Sequence, residues 1–160
     1  MAILDWPGKS AQAGGVEHPA FYHMIDVGAV AECLLAPYEL PRCRRNFYVL
    51  AAALHDLGKI SDSFRRMLRD GQAQTHGRHW EVTELWLKRF DAELEGLAED
   101  LDDRRAFYAA IAGHHGRPPL QESFERMFAA AGPDAERDAR EVAGHLSALW
   151  PDAGFDLHYN

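Results

Sequence analysis

Apolar residues recur along most of this chain at three- and four-residue spacing, the period of an α-helix with one buried side. Val27, Val30, Ala31, Leu34 and Leu35 form one such stripe, and Pro37 stops it. Phe47, Leu50, Ala51 and Leu54 form a second, closed by Gly58. Ser61 or Asp62 can cap a short helix carrying Phe64, Met67 and Leu68, with Gly71 at its end. A longer helix is expected over about 79–98, with Val82, Trp86 and Phe90 inward. Another carries Phe107, Ala110 and Ile111 and ends at Gly116, before Pro118 and Pro119. Residues 120–131 and 134–150 read as two more. The first 20 residues contain Pro7, Gly8, Gly14, Gly15 and Pro19 and read as an extended, loop-like lead-in. Alternating β-branched runs do not occur. The expected class is all-α, a bundle of six or seven helices.

Composition narrows the picture. The chain has 160 residues, the size of one domain, and 1–160 is expected to form one. Hydrophobic residues make up 47% and charged residues 26%, so the chain is neither disordered nor collagenous. A formal charge of −8 excludes a stand-alone basic nucleic-acid binder; nucleic-acid contact must come from a local patch or a partner. No apolar run approaches the ~18 residues of a membrane helix, and the N-terminus lacks a signal-peptide core. Cys33 and Cys43 have the spacing of neither a metal site nor a disulfide framework, which points to a reducing cytoplasm. The unusual feature is nine histidines.

The histidines follow the helical stripes. His23 precedes Val27 by four, His55 follows Ala51 by four, and His79 precedes Val82 by three. His114 and His115 follow Ile111 by three and four. One such histidine reads best as a core residue with its hydrogen bonds satisfied. Four helices each delivering one near an end, with Asp56 beside His55, read better as a site for a divalent transition metal. His114 and His115 point about 100° apart on a helix, so both reach one site only where the helix ends. Asp56 can share one ion with His55 or bridge two ions with its two oxygens. Lys59 returns to the same helix face and can neutralise a phosphate, hold Asp56, or sit on the surface. Asp26, three after His23, can orient that ring or be a solvated acid. His76 competes with His79, and the Val82 and Trp86 face favours His79.

His23, then 55–59 (His-Asp-Leu-Gly-Lys), then His79, then His114-His115 resembles the HD superfamily of metal-dependent phosphohydrolases. Within it, the pattern is similar to the HD nuclease domain of the type I CRISPR helicase–nuclease. Residues 18–35, 50–67, 78–87 and 109–119 resemble that family's ligand-bearing segments, and 5–10 its N-terminal start. The more specific features are Ser61-x-x-Phe64 and the 114–118 run His-His-Gly-Arg-Pro. The resemblance implies one ion on His23, His55 and Asp56 and another on Asp56, His79, His114 and His115. Members also carry a later metal-binding Asp in an Ala-Asp-Trp-like setting. Asp134, Asp138, Asp152 and Asp156 do not sit in one, so the chain is expected either to be part of a longer protein or to hold an incomplete site.

The function this implies is metal-dependent hydrolysis of single-stranded DNA in CRISPR antiviral defence. Single strands would be fed by a helicase, in the same chain or another, with a CRISPR surveillance complex as partner and no membrane. One or two ions of Mn, Ni, Co, Fe or Zn would be bound, with His55, Asp56 and Lys59 at the chemistry. Arg65, Arg66 and Arg117 would bind the strand through its phosphates, with Arg69 as a further candidate. The alternatives are an HD phosphohydrolase for nucleotides or cyclic diesters, and a non-catalytic metal-binding recruiting module.

Overall fold

The computed structural model describes residues 2–10, 16–116 and 123–155. Among them the chain forms seven α-helices and one pair of very short strands. The all-α expectation holds. The strands, β1 (Pro7–Lys9) and β2 (His18–Pro19), pair antiparallel where a loop was expected. The lead-in is anchored because Trp6 is fully buried and its indole N–H donates to Asp138 at 2.8 Å. A large aromatic with its one polar atom satisfied is a strong tether.

The helices are α1 (Ala20–Leu35), α2 (Arg42–Leu54), α3 (Asp62–Asp70), α4 (His79–Arg89), α5 (Leu101–Ala112), α6 (Phe124–Ala131) and α7 (Ala135–Leu149). Local chemistry explains several ends. Ser61 caps α3 by accepting the Phe64 N–H, and Gly71 closes it at φ 65°. Asp100 caps α5 by accepting from Asp102 and Asp103. Gly116, at φ 75°, ends the turn after α5.

Further expectations change. The helix expected over 79–98 stops at Arg89 and continues as two 3₁₀ turns, Asp91–Glu93 and Glu95–Leu97. Asp91 there is taken by a tertiary network, accepting from Arg104 at 2.8 Å and from Tyr108 at 2.8 Å. The buried face of α1 is also rotated from the expected stripe. Ala20, Met24 and Gly28 are buried, whereas Val30 and Leu34 are exposed. Ala110 of α5 is likewise exposed.

One core runs through α1, α2, α4, α5 and α7, with Leu50, Leu54, Leu57, Val82, Trp86, Phe90 and Leu146 at its centre. α1 packs on α2, and α4 packs on α5, α6 and the turn Leu57–Lys59. The histidine-bearing ends of α1, α2, α4 and α5 meet on one side of this core. Gly28 sets how α1 seats, because a Cβ there would overlap the Trp150 ring at the end of α7. Gly28→Ala should therefore destabilise the protein by about 1–3 kcal/mol through overpacking. A lower urea midpoint with unchanged slope is the expected result, and an unchanged midpoint would contradict this seating.

Candidate metal centre

The centre is built around Asp56. α2 ends at Leu54, His55 is its cap, and Asp56 leaves helical geometry at φ −109° and ψ 18°. That break turns a buried carboxylate toward three other helix ends. His23 reaches it from the first turn of α1, His79 from the start of α4, and His114 from the 3₁₀ turn Gly113–His115 after α5.

The two carboxylate oxygens face different partners. Oδ2 lies 3.0 Å from His23 Nε2, 2.9 Å from His55 Nε2 and 2.7 Å from Lys59 Nζ. Oδ1 lies 3.4 Å from His79 Nε2 and 3.6 Å from His114 Nε2, and it is buried without a hydrogen-bond partner. His115 Nε2 approaches His79 Nε2 at 2.9 Å. Among the described residues, two sets of donors could each hold one ion: His23, His55 and Asp56, and His79, His114 and His115. Within each set the donor atoms lie within 4.8 Å of one another. Ligands about 2 Å from a metal span such distances.

The ring tautomers suit this use. His55 Nδ1–H donates to the Ala52 carbonyl at 2.7 Å, and His114 Nδ1–H donates to the Ile111 carbonyl at 3.1 Å. Each bond turns Nε2 inward, where it could ligate a metal. These Nε2 atoms and the carboxylate oxygens face one shared space, where a cation could be held. Burial disfavours charge on Asp56, but hydrogen bonds from His23 and His55, then the charges of His55 and Lys59, outweigh it. The carboxyl is held well below the usual carboxylate range. Burial lowers His79 to about 4 and lowers His114 as well, so both are neutral and able to ligate at neutral pH. The orphaned Oδ1, the bare imidazole nitrogens and the ionised carboxylate fit a divalent ion.

Backbone geometry holds the two sets together. Gly58 lies so close to α4 that a Cβ would overlap the His79 carbonyl and the Thr83 nitrogen. Thr83 is fully buried, accepts the Gly58 N–H at 2.9 Å, and directs its hydroxyl toward the carbonyls of His79 at 2.9 Å and His55 at 3.2 Å. One hydroxyl thus couples the backbones of a ligand from each set.

Other expected residues lie elsewhere. Arg65 donates to Asp62 at 2.5 Å and lies over the Trp6 ring at 4.7 Å. Arg66 is exposed and shares a cavity with Ser63, Gln74 and His76. Arg69 forms a bidentate pair with Glu17. Arg117 lies outside the described residues. His79, not His76, joins the cluster. Asp26 does not orient His23; it accepts from His18 at 3.0 Å. Asp138 is buried, but its oxygens go to Trp6 and Arg137, so it does not replace the later metal-binding Asp. Thr83 is a contributor that no motif in the sequence marks, and Phe64 of the Ser61-x-x-Phe64 feature is another contributor. Thr83 sits four after His79, and the Phe64 ring lies against His79 with Lys59 above it.

A family model described as Cas3, HD domain, matches residues 6–157. A relative from Myxococcus xanthus (strain DK1622), named a CRISPR-associated nuclease/helicase Cas3, is 42% identical over 86 residues. The match covers 51% of this chain and 11% of that protein. No solved structure matches.

Two outcomes follow from this geometry. Thr83→Val keeps the shape but strands the Gly58 N–H, and should cost about 1–3 kcal/mol. It should also weaken metal binding, while Thr83→Ser restores both. Equal stability and metal affinity in Thr83→Val and the parent would refute the coupling. Acid should destabilise the chelated protein. Between pH 6.5 and about 4 the unfolded chain binds a proton at His79 that the folded chain does not, so stability rises with pH across that window. The loss on acidification is ~3 kcal/mol. Asp56 adds a further loss at lower pH, below its ordinary value of 3.8. Urea midpoints at pH 7 and 5 should differ less in His79→Gln than in the parent; an unchanged difference would rule out His79 as the cause.

Proposed function

This chain belongs to the Cas3 HD-domain family, and from that premise we propose that it is a metal-dependent nuclease domain acting on single-stranded DNA in CRISPR antiviral defence. The observation that carries this reading is the division of Asp56 between two donor sets, one on each oxygen. His23, His55 and Asp56 would hold one ion, and Asp56, His79, His114 and His115 the other. Imidazoles with a single carboxylate favour Mn, Fe, Co, Ni or Zn over Mg, which prefers oxygen ligands. Bound divalent metal supplies a water acidified toward neutrality and a counter-charge for the phosphodiester.

The chain's own residues supply the rest. Hydrolysis breaks one P–O ester bond, adds a water oxygen to phosphorus and leaves a proton on the departing sugar oxygen. His55 and His114, fixed by their backbone bonds, keep their rings aimed at the reacting centre. Lys59 holds its ammonium beside Oδ2 and over Phe64, where it balances the carboxylate and can meet a phosphate oxygen. His114 and His115 line the open side, so a strand approaches from there. Arg66 and Arg117 are the proposed phosphate contacts, and Arg65 also pairs with Asp62.

The relative's name pairs nuclease with helicase, and a helicase produces single strands. We therefore place this domain beside a helicase, in one chain or as a partner, working with a CRISPR surveillance complex. The charge of −8 suits a substrate delivered by a partner rather than gripped along a duplex. Cys33 and Cys43 are both free, which suits the reducing cytoplasm. No helix among the described residues is long and apolar enough to cross a membrane.

With added Mn or Ni, the protein should degrade single-stranded DNA and spare a blunt duplex. Asp56→Ala should reduce cleavage at least about a hundredfold. His79→Ala should weaken binding mainly in one set. Hydrolysis of nucleotides or cyclic diesters by fully loaded protein that leaves DNA strands intact would replace this reading with a small-molecule phosphohydrolase. Metal binding with no hydrolysis of any of these would indicate a recruiting module.

A further inference from the structure

α4 fills its core face with Val82, Leu85 and Trp86, all buried. Trp80 is off that face. Residues 80, 84 and 88 share the outer stripe of the helix, where Glu84 and Lys88 form an ion pair at 2.7 Å. An indole on a solvent-facing stripe needs a reason. The chain has four tryptophans. Trp6 and Trp86 are fully buried and Trp150 is 7% exposed, so Trp80, which is half-buried, is the most accessible of the four.

Its surroundings tie it to the metal centre. The Trp80 ring centroid lies 4.8 Å from that of His115 and 5.2 Å from that of His79. The Arg78 guanidinium lies 5.5 Å from the same ring, and its side chain is 40% exposed. An aromatic surface, a partly exposed cation that also pairs with Glu81 at 3.7 Å, and two candidate metal ligands therefore adjoin one another.

We propose that Trp80 is a stacking platform for one nucleobase of a single strand whose phosphodiester lies at His79 and His115, with Arg78 meeting an adjacent phosphate. This rests on the nuclease reading above and adds a source for its strand preference. A base in a single strand can turn its π-face to the indole, whatever its identity, whereas bases in a duplex are already stacked on each other. Arg78 then exchanges its place over the indole for a phosphate oxygen.

The test uses the metal-loaded chain and two probes, a phosphorothioate oligothymidylate and the same strand with abasic sites at its centre. Binding of oligothymidylate should quench tryptophan fluorescence, because the accessible indole is the one covered. Trp80→Phe should bind with an affinity within a few-fold of the parent but lose the quench. The parent should bind the abasic strand about tenfold more weakly than oligothymidylate, and Trp80→Ala should bind both equally weakly. Comparing strands within each variant cancels any disturbance of His79 or His115, and metal content confirms loading. If Trp80→Ala separates the two strands as well as the parent does, Trp80 merely covers the histidine pair and the proposal fails. If the loaded parent neither binds nor cuts any single strand, the nuclease reading itself fails and takes this proposal with it.

Discussion

A single buried carboxylate organises this protein. Asp56 is 3% exposed, yet it is held ionised by His23, His55 and Lys59. A buried charge is tolerated only where its partners are fixed. Four helix ends are therefore brought to one point, and the core behind them positions those ends. Oδ1 is buried without a hydrogen-bond partner, which is where a cation would fit.

The scaffold solves the constraint with few parts. α2 stops just before Asp56, so the carboxylate leaves the helix direction and faces α4 and α5 as well as α1. Gly58 lets the following turn lie against the first turn of α4, and Thr83 fastens that contact. The turn after α5 lets His114 and His115 both reach the site, which a continuous helix would prevent. Stability and site geometry thus share the same backbone contacts, so changes at Gly58 or Thr83 should disturb both.

Much of this was legible in the sequence. The helical stripes place His23, His55, His79 and the His114-His115 pair at element ends, and Ser61 and Gly71 mark the limits of α3 correctly. What was not legible depends on tertiary contacts. Trp6 looks like part of a loop until Asp138, 132 residues away, accepts its indole N–H. The 79–98 periodicity continues past Arg89, but Asp91 is diverted to Arg104 and Tyr108. On α1, Gly28 rather than Val30 faces the core because Trp150 occupies the space, and no local pattern carries that information. Arg65 is an expected phosphate contact, and no local pattern foretells that Asp62 and the Trp6 ring also engage it.

The central claim is that Asp56 divides its two oxygens between two metal ions. Anomalous diffraction from crystals of the Mn-loaded protein tests it most directly. The account predicts two peaks flanking Asp56, one beside His23 and His55 and the other beside His79, His114 and His115. A single peak at full loading, or ions that leave Asp56 unligated, would contradict it.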